Sequence, residues 1–330
     1  MTDESKVDGL TIRRATPSDR AEILTLLAAS LGRDGSDPRY EALFAWKHEQ
    51  NAFGPSPTWV ACDGARIAGL RVLMPWEFRR GDLTVRAVRA VDTATHPDYQ
   101  GRGIFTRLTL HAIEELRAEG VDFVFNTPND QSRPGYLKMG WQVVGRLPTT
   151  IRPVRLGAVP RIAAARVPAE RWSAETRAGD PAADVLTDAA ARAELLAALP
   201  VGPELRTNRT PAYLRWRYGS SLLGYRAITA PRGLAGGVAL FRVRRRGAAR
   251  ELALCDVLVP RGNRKVAARL VQAVLHAADA DYLIQLGGGV LTPGGMVRLP
   301  RQGPLLTWRA VKDPVLPRAW DLTLGDIELF

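Results

Sequence analysis

The glycine turn Gln100-Gly101-Arg102-Gly103-Ile104-Phe105 carries the strongest chemical signal in the chain. Gly101 and Gly103 let the backbone approach a ligand closely, and the free N–H groups and dipole of a following helix favour an anion. Arg102 and Arg107 add positive charge beside the turn. A pyrophosphate suits such a place. Asp92, eight residues upstream, is an acid inside an otherwise apolar run, and an acid there needs a reason. Catalysis or acceptor binding would supply one; pairing with Arg86 or Arg89 would serve equally well.

These groups need elements to position them. Val85 to Thr95 is a mostly apolar, β-branched run ending at His96-Pro97, as expected of a buried strand. Thr106 to Ala118 places Leu108, Ile113 and Leu116 at helical spacing, and Gly120 supplies a C-terminal stop. Val121 to Phe125 alternates like a strand, and Asn126 to Asp130 has turn composition. The order is strand, glycine turn, helix, strand, turn.

In this order the segment resembles the GNAT acetyltransferase superfamily, whose turn reads Gln/Arg-x-x-Gly-x-Gly/Ala. The family's next segment commonly reads Asn-x-x-Ala-x-x-x-Tyr-x-x-x-Gly-Phe, and Asn129, Ser132, Tyr136, Gly140 and Trp141 fall on those places. Phe105 departs from the small residue that ends the family turn, which makes the wall bulkier without removing a donor. The resemblance implies an α/β fold with a mixed central β-sheet flanked by helices, and acetyl-CoA as co-substrate. It implies that the pantetheine arm pairs with backbone at Thr93, Ala94 and Thr95, and that the pyrophosphate lies on the amides of the turn, from Gln100 and Gly101 through Arg102, Gly103 and Ile104 to Phe105. Tyr136 would protonate or hydrogen-bond the departing thiolate; otherwise it is a helix tyrosine packed on the sheet. Asn129 and Ser132 would stand beside the pantetheine, with a turn-capping role for Asn129 as the competing reading. Some tandem relatives use a terminal carboxylate as base, here that of Phe330, against an ordinary terminal strand or a frayed tail.

With 330 residues, 46% of them hydrophobic, the chain can build two domains. A weak repeat supports that division. Phe44-Ala45-Trp46-Lys47-His48 precedes the strand Trp59-Val60-Ala61, and Leu214-Arg215-Trp216-Arg217-Tyr218 precedes Tyr225 to Ile228. The second copy continues with the strand-like Leu252 to Pro260 and a helix over Lys265 to Ala278. Its turn, Arg261-Gly262-Asn263-Arg264-Lys265, lacks the second glycine, so its amide cradle is expected to be lost. The expected arrangement is a tandem GNAT: residues 1–157 with the cofactor site, a partly helical joint over 158–194, and a degenerate copy over 195–330. Asp256 stands in the second copy much as Asp92 does in the first, which favours a shared structural role.

Other chemistry is disfavoured. Cys62 and Cys255 read as buried thiols, and His48, His96, His111 and His276 lack metal-ligand spacing, so no metal is expected. No stretch is long and apolar enough to span a bilayer, and Met1 to Leu10 is not signal-like, so a cytoplasmic protein is expected. The net charge of +12 comes from an excess of Arg, 41 of the 46 basic residues. The dense run Arg242 to Arg246 reads as a solvated hairpin end, and nucleic acid is an unfavoured partner because that run has no interleaved aromatics.

Three classes remain: an acyl-CoA-dependent N-acyltransferase acting on an amine of a small molecule, amino sugar or peptide; a noncatalytic acyl-CoA-binding or regulatory module; and an RNA-linked role resting on charge alone. The Asn129 to Trp141 match favours the first. Trp46, Lys47, His48, Phe53 and Trp76 are candidates for an acceptor wall and read equally well as packing. The acceptor, the acyl-chain length and the oligomeric state are not encoded in these motifs.

Overall fold

In the computed structural model, which describes residues 5–7, 9–32, 36–287, 297–299, 302–312 and 319–328, the strands form two mixed sheets. The first sheet runs through β1 (Ser5–Val7), β2 (Leu10–Arg14), β3 (Thr58–Asp63), β4 (Arg66–Arg80), β5 (Leu83–Thr95) and β6 (Phe123–Asn126), and ends with β7 (Gln142–Arg146). The second uses β8 (Thr149–Pro153), β9 (Asp180–Pro181), β11 (Arg226–Ala230), β12 (Gly233–Arg246), β13 (Ala249–Leu258), β14 (Tyr282–Leu286) and β15 (Val297–Leu299). Two further strands, β10 (Arg206–Thr207) and β16 (Leu305–Ala310), belong to the first sheet although they lie late in the chain.

The sheets therefore exchange strands. β16 lies between β6 and β7, and β10 pairs with β4, while β8 pairs with β14 of the second sheet. A division at residues 158–194 does not separate the two sheets. Local composition could not show this, because the exchange consists of long-range pairings between short, ordinary strands. This stretch holds the helices α5 (Val159–Ala164), α6 (Ala182–Val185) and α7 (Ala189–Ala197), the last running past residue 194 and capped by Asp188.

One face of the first sheet carries α3 (Ile104–Ala118) and α4 (Arg133–Lys138), which bury Leu108, Ile113, Leu116 and Tyr136 against Leu73, Val88 and Val124. Each such aliphatic side chain contributes about 1.5–3 kcal/mol. The other face is covered at one end by α1 (Arg20–Leu31) and α2 (Pro38–Phe44). At its other end it packs on the second half through Trp46, Trp76, Phe78, Phe125, Tyr213 and Trp216. In the second half, α8 (Pro211–Tyr218) faces this shared core, and α9 (Arg264–Ala277) covers the far side of its own sheet.

The repeat is visible at the junction. Trp46 and Trp216 stack with ring centroids 5.0 Å apart, and each indole N–H donates to the other residue's carbonyl at 2.7 Å. Trp46 and Trp216, which correspond in the weak sequence repeat, thus meet as partners. Trp76 donates to Thr207 Oγ1 and Phe53 stacks on Tyr213, so these aromatics belong to the junction core.

The Arg242–Arg246 run departs from its expected solvated state. Arg242 is fully buried and faces Glu328, and Arg244 is paired with Glu251 and Glu328. Strand alternation sends Arg242 and Arg244 inward and leaves Arg245 exposed. Nor is the end of the chain frayed through Glu328: α10 (Leu324–Ile327) is buried, with Asp326 accepting from Arg209 and Tyr213. Phe330 lies outside the described residues. Cys62 and Cys255 are buried and unbridged, and among the described residues no group of side chains could hold a metal. No helix among them is long and apolar enough to cross a membrane.

Candidate active site

Strands β5 and β6 run parallel, but they pair only over Ala87 to Arg89 against Phe123 to Phe125. Beyond Arg89, β5 continues along β4 to Thr95 while β6 stops at Asn126, so the two strands part. Backbone groups of β5 in this gap are available to an extended ligand.

The glycine turn opens beside the gap. Gly101 and Gly103 have φ of 78° and 69°, in the left-handed region, and a Cβ added to either would meet nothing within 4 Å. Gly103 is the N-cap of α3 and offers no capping side chain. The first-turn N–H groups of a four-turn helix are thus left for an anion, in front of open space. Arg102 packs over the ring of Tyr99, and Arg107 donates to the Arg102 carbonyl at 2.9 Å.

Tyr136 closes the other side. It is buried, and its hydroxyl oxygen accepts from Arg71 Nη1 at 2.9 Å. Its ring stands edge-on to Phe105, with centroids 5.2 Å apart, and 5.0 Å from Trp141. Phe105 is accommodated because Gly135 lies under it: a Cβ there would stand 3.0 Å from the Phe105 ring. The bulky residue in the turn is therefore matched by a missing side chain in α4.

The family model of the acetyltransferase (GNAT) domain matches residues 11–144. These residues form a GNAT domain. No curated protein matches the chain as a relative. Among solved structures, a probable N-acyltransferase from Enterococcus faecalis V583 shares the fold with a TM-score of 0.63 at 12% identity, over 92% of this chain and 73% of that one. GCN5-related N-acetyltransferases from Anabaena variabilis and Kribbella flavida give TM-scores of 0.61 and 0.60, each at 13% identity over 92% of this chain, and over 73% and 72% of theirs. The fold shared with these proteins thus extends over both sheets.

The remaining expected residues of the GNAT domain divide by face. Thr93 lies opposite Arg71 and donates to the Leu70 carbonyl at 3.0 Å; Ala94 is buried, and Thr95 pairs with Gly69 at the end of the ladder. Asn129 Oδ1 accepts from the backbone N–H and the hydroxyl of Ser132, at 2.8 and 2.9 Å. Through these bonds its side chain shapes the turn into α4.

Asp92 does not pair with Arg86 or Arg89. The β4–β5 ladder slips between Arg71 and Leu73, and this bulge sets Asp92 against the π-helical turn Ala45–Glu49. There Asp92 Oδ2 accepts from Lys47 Nζ at 2.6 Å and faces His48 Nε2 at 2.8 Å, while His48 Nδ1 meets Ser56 Oγ at 2.9 Å. Lys47 and His48 are buried. Arg89 instead donates to the carbonyls of Asp326 and Ile327, tying α10 to β5; burial pushes its guanidinium down to about 9, with Asp326 opposing the shift.

Sequence reading passed over Arg71 altogether. The signal was present: an arginine between Leu70 and Val72, inside a buried strand, meets the same criterion that singled out Asp92.

The second sheet has a comparable strand, turn and helix in β13 and α9, but this turn is closed. Asn263 Oδ1 accepts from the N–H groups of Lys265 and Val266 at 3.1 and 3.2 Å, so the chain caps α9 itself. Asp256 accepts from Arg209 at 2.7 Å and from the Tyr218 hydroxyl, which fits a structural role. α10 lies so close to β13 that a Cβ on Gly325 would stand 3.1 Å from Asp256 Oδ2.

Proposed function

We propose that the protein is an acyl-CoA-dependent N-acyltransferase that moves acetyl from acetyl-CoA to a primary amine, with its working site in the N-terminal copy. The observation that carries this reading is the parting of β5 from β6 beside an uncapped, glycine-framed helix N-terminus. An extended arm fits the gap, and a pyrophosphate fits the amides of Gly101 to Phe105. GNAT family membership supports acetyl-CoA as the donor.

The two faces of the sheet suggest how the substrates meet. The turn, Phe105 and Tyr136 lie on the α3 side, whereas Asp92, Lys47 and His48 lie on the opposite face. The cofactor would enter from the first, and the amine would reach the thioester carbon through the gap from the second. Attack forms the C–N bond and a tetrahedral oxyanion, which backbone N–H groups of β5 in the gap would stabilise. Collapse breaks the C–S bond, and Tyr136 gives the thiolate its proton. Asp92 is already engaged by Lys47, so its role in this scheme is to shape the acceptor side rather than to deprotonate the amine.

Calorimetric titration of acetyl-CoA into wild type and Gly103→Glu tests the assignment. One site per chain is expected, lost in the variant, whose side chain would add bulk, negative charge and a strained positive φ at the cradle. Normal affinity in a folded Gly103→Glu would remove the turn from the site. Two sites per chain would mean that the second copy also binds.

A further inference from the structure

Arg71 is a fully buried cation beside Tyr136 that the scheme above leaves unused. Its Nη1 donates to Tyr136, but Nε and Nη2 have no hydrogen-bond partner among the described residues, and no carboxylate among them pairs with it. Of the other three arginines among the described residues buried to the same degree, Arg217 and Arg242 both face Glu328, at 3.4 and 3.1 Å, and Arg89 donates to the Asp326 and Ile327 carbonyls of α10. A guanidinium taken out of water without an anion is costly, so a core built for stability alone would not place one there. The guanidinium carbon lies 5.6 Å from the Phe105 ring centroid and 5.4 Å from that of Tyr136, at the wall of the cofactor side.

We propose that Arg71 is a positioning residue for the leaving-group step, acting through Tyr136; the inference rests on the acyltransferase reading. An arginine nitrogen can only donate, so its bond to the tyrosine oxygen uses a lone pair and leaves the single hydroxyl proton for a second acceptor. When the C–S bond breaks, the thiolate sulfur takes that proton and negative charge moves to the phenolate oxygen, 2.9 Å from Nη1. The guanidinium then has the anion it lacks in the resting protein. The phenolate recovers a proton from solvent, and the proton lost by the amine returns to solvent, so the cycle balances. Arg71 is thus uncompensated before the step and compensated during it, the condition for stabilising the transition state over the ground state.

The test compares the full-length wild type with Arg71→Met, Arg71→Lys, Tyr136→Phe and the Arg71→Met/Tyr136→Phe double variant. Thermal melting is read alongside steady-state acetyl-CoA turnover, with the best acceptor from a panel of amino sugars, polyamines and a lysine peptide. Arg71→Met is expected to melt no lower than wild type and to lose about tenfold or more in kcat, with KM for acetyl-CoA within about twofold. Arg71→Lys should recover part of that loss, and the double variant should be no slower than Tyr136→Phe. A lowered melting temperature in Arg71→Met, an unchanged kcat, or losses that multiply in the double variant would overturn the proposal. A folded wild type that acetylates no amine in the panel would instead remove the acyltransferase reading, and this role with it.

Discussion

The two glycine-containing turns of this chain show how one architecture is kept open in one place and closed in the other. Before α3, Gly101 and Gly103 take left-handed conformations with open space in front, and no side chain among the described residues caps the first-turn amides. Before α9, Arg261 and Gly262 also have positive φ, but Asn263 then turns back onto the amides of Lys265 and Val266. The helix N-terminus is equally positive in both copies. What differs is whether the protein satisfies it internally or leaves it for a ligand. The acidic positions differ similarly: Asp256 is locked by Arg209 and Tyr218 beneath α10, whereas Asp92 meets Lys47 and His48 across from the cofactor gap.

The largest expected effect would break the closed half. Glu328 is buried among Arg217, Arg242 and Arg244; burial works against its charge, but these three cations hold its carboxyl down to about 2. Glu328→Ala leaves buried guanidinium groups without their anion and should cost about 3–5 kcal/mol in a denaturant titration. The same group sets an acid limit. Its folded value lies below that of a free glutamate, so its stabilisation is whole above about pH 5 and is lost as the pH falls towards 2. Glu328→Gln should flatten the acid side of the stability curve; an unchanged curve would show that other carboxylates govern it.

Next in size is the open half. Tyr136→Phe should preserve acetyl-CoA affinity within about twofold and lower turnover by about 10²-fold, measured as thiol release. An unchanged rate would return Tyr136 to a packing role. Asn263→Ala should cost about 1 kcal/mol of stability through the lost cap, with no effect on turnover. The smallest expected effect sharpens the comparison most: Lys265→Glu should leave acetyl-CoA affinity unchanged, because the amides behind it are already taken. A tenfold loss there would mean that the second turn binds cofactor after all.

Much of the first copy was legible from one-dimensional pattern. The strand ending at Thr95, the helix from Ile104 and the spacing from Asn129 to Trp141 follow from periodicity and turn chemistry, which act between near neighbours in the chain. The same reasoning misread Arg242 and Arg244, since a dense basic run looks solvated until its carboxylates, Glu251 and Glu328, are brought to it. For Asp92 it weighed a chemical role against pairing with Arg86 or Arg89, its neighbours in the strand, and could not see that the bulge in β5 aims the carboxylate at residues 44 and 45 positions earlier.

The sequence by itself set up the open turn before α3, because glycines carry no capping side chain and take positive φ at little cost, and it placed a capping residue, Asn263, before α9. Tertiary structure decided everything that depends on chain segments far apart. It decided which strands the two sheets exchange, that Trp46 and Trp216 meet across the junction, and that Arg71 stands beside Tyr136 with no carboxylate among the described residues paired to it. Hydrogen-bond ladders and buried charge are settled by which groups share a low-dielectric space, and that is a property of the packed molecule rather than of local pattern.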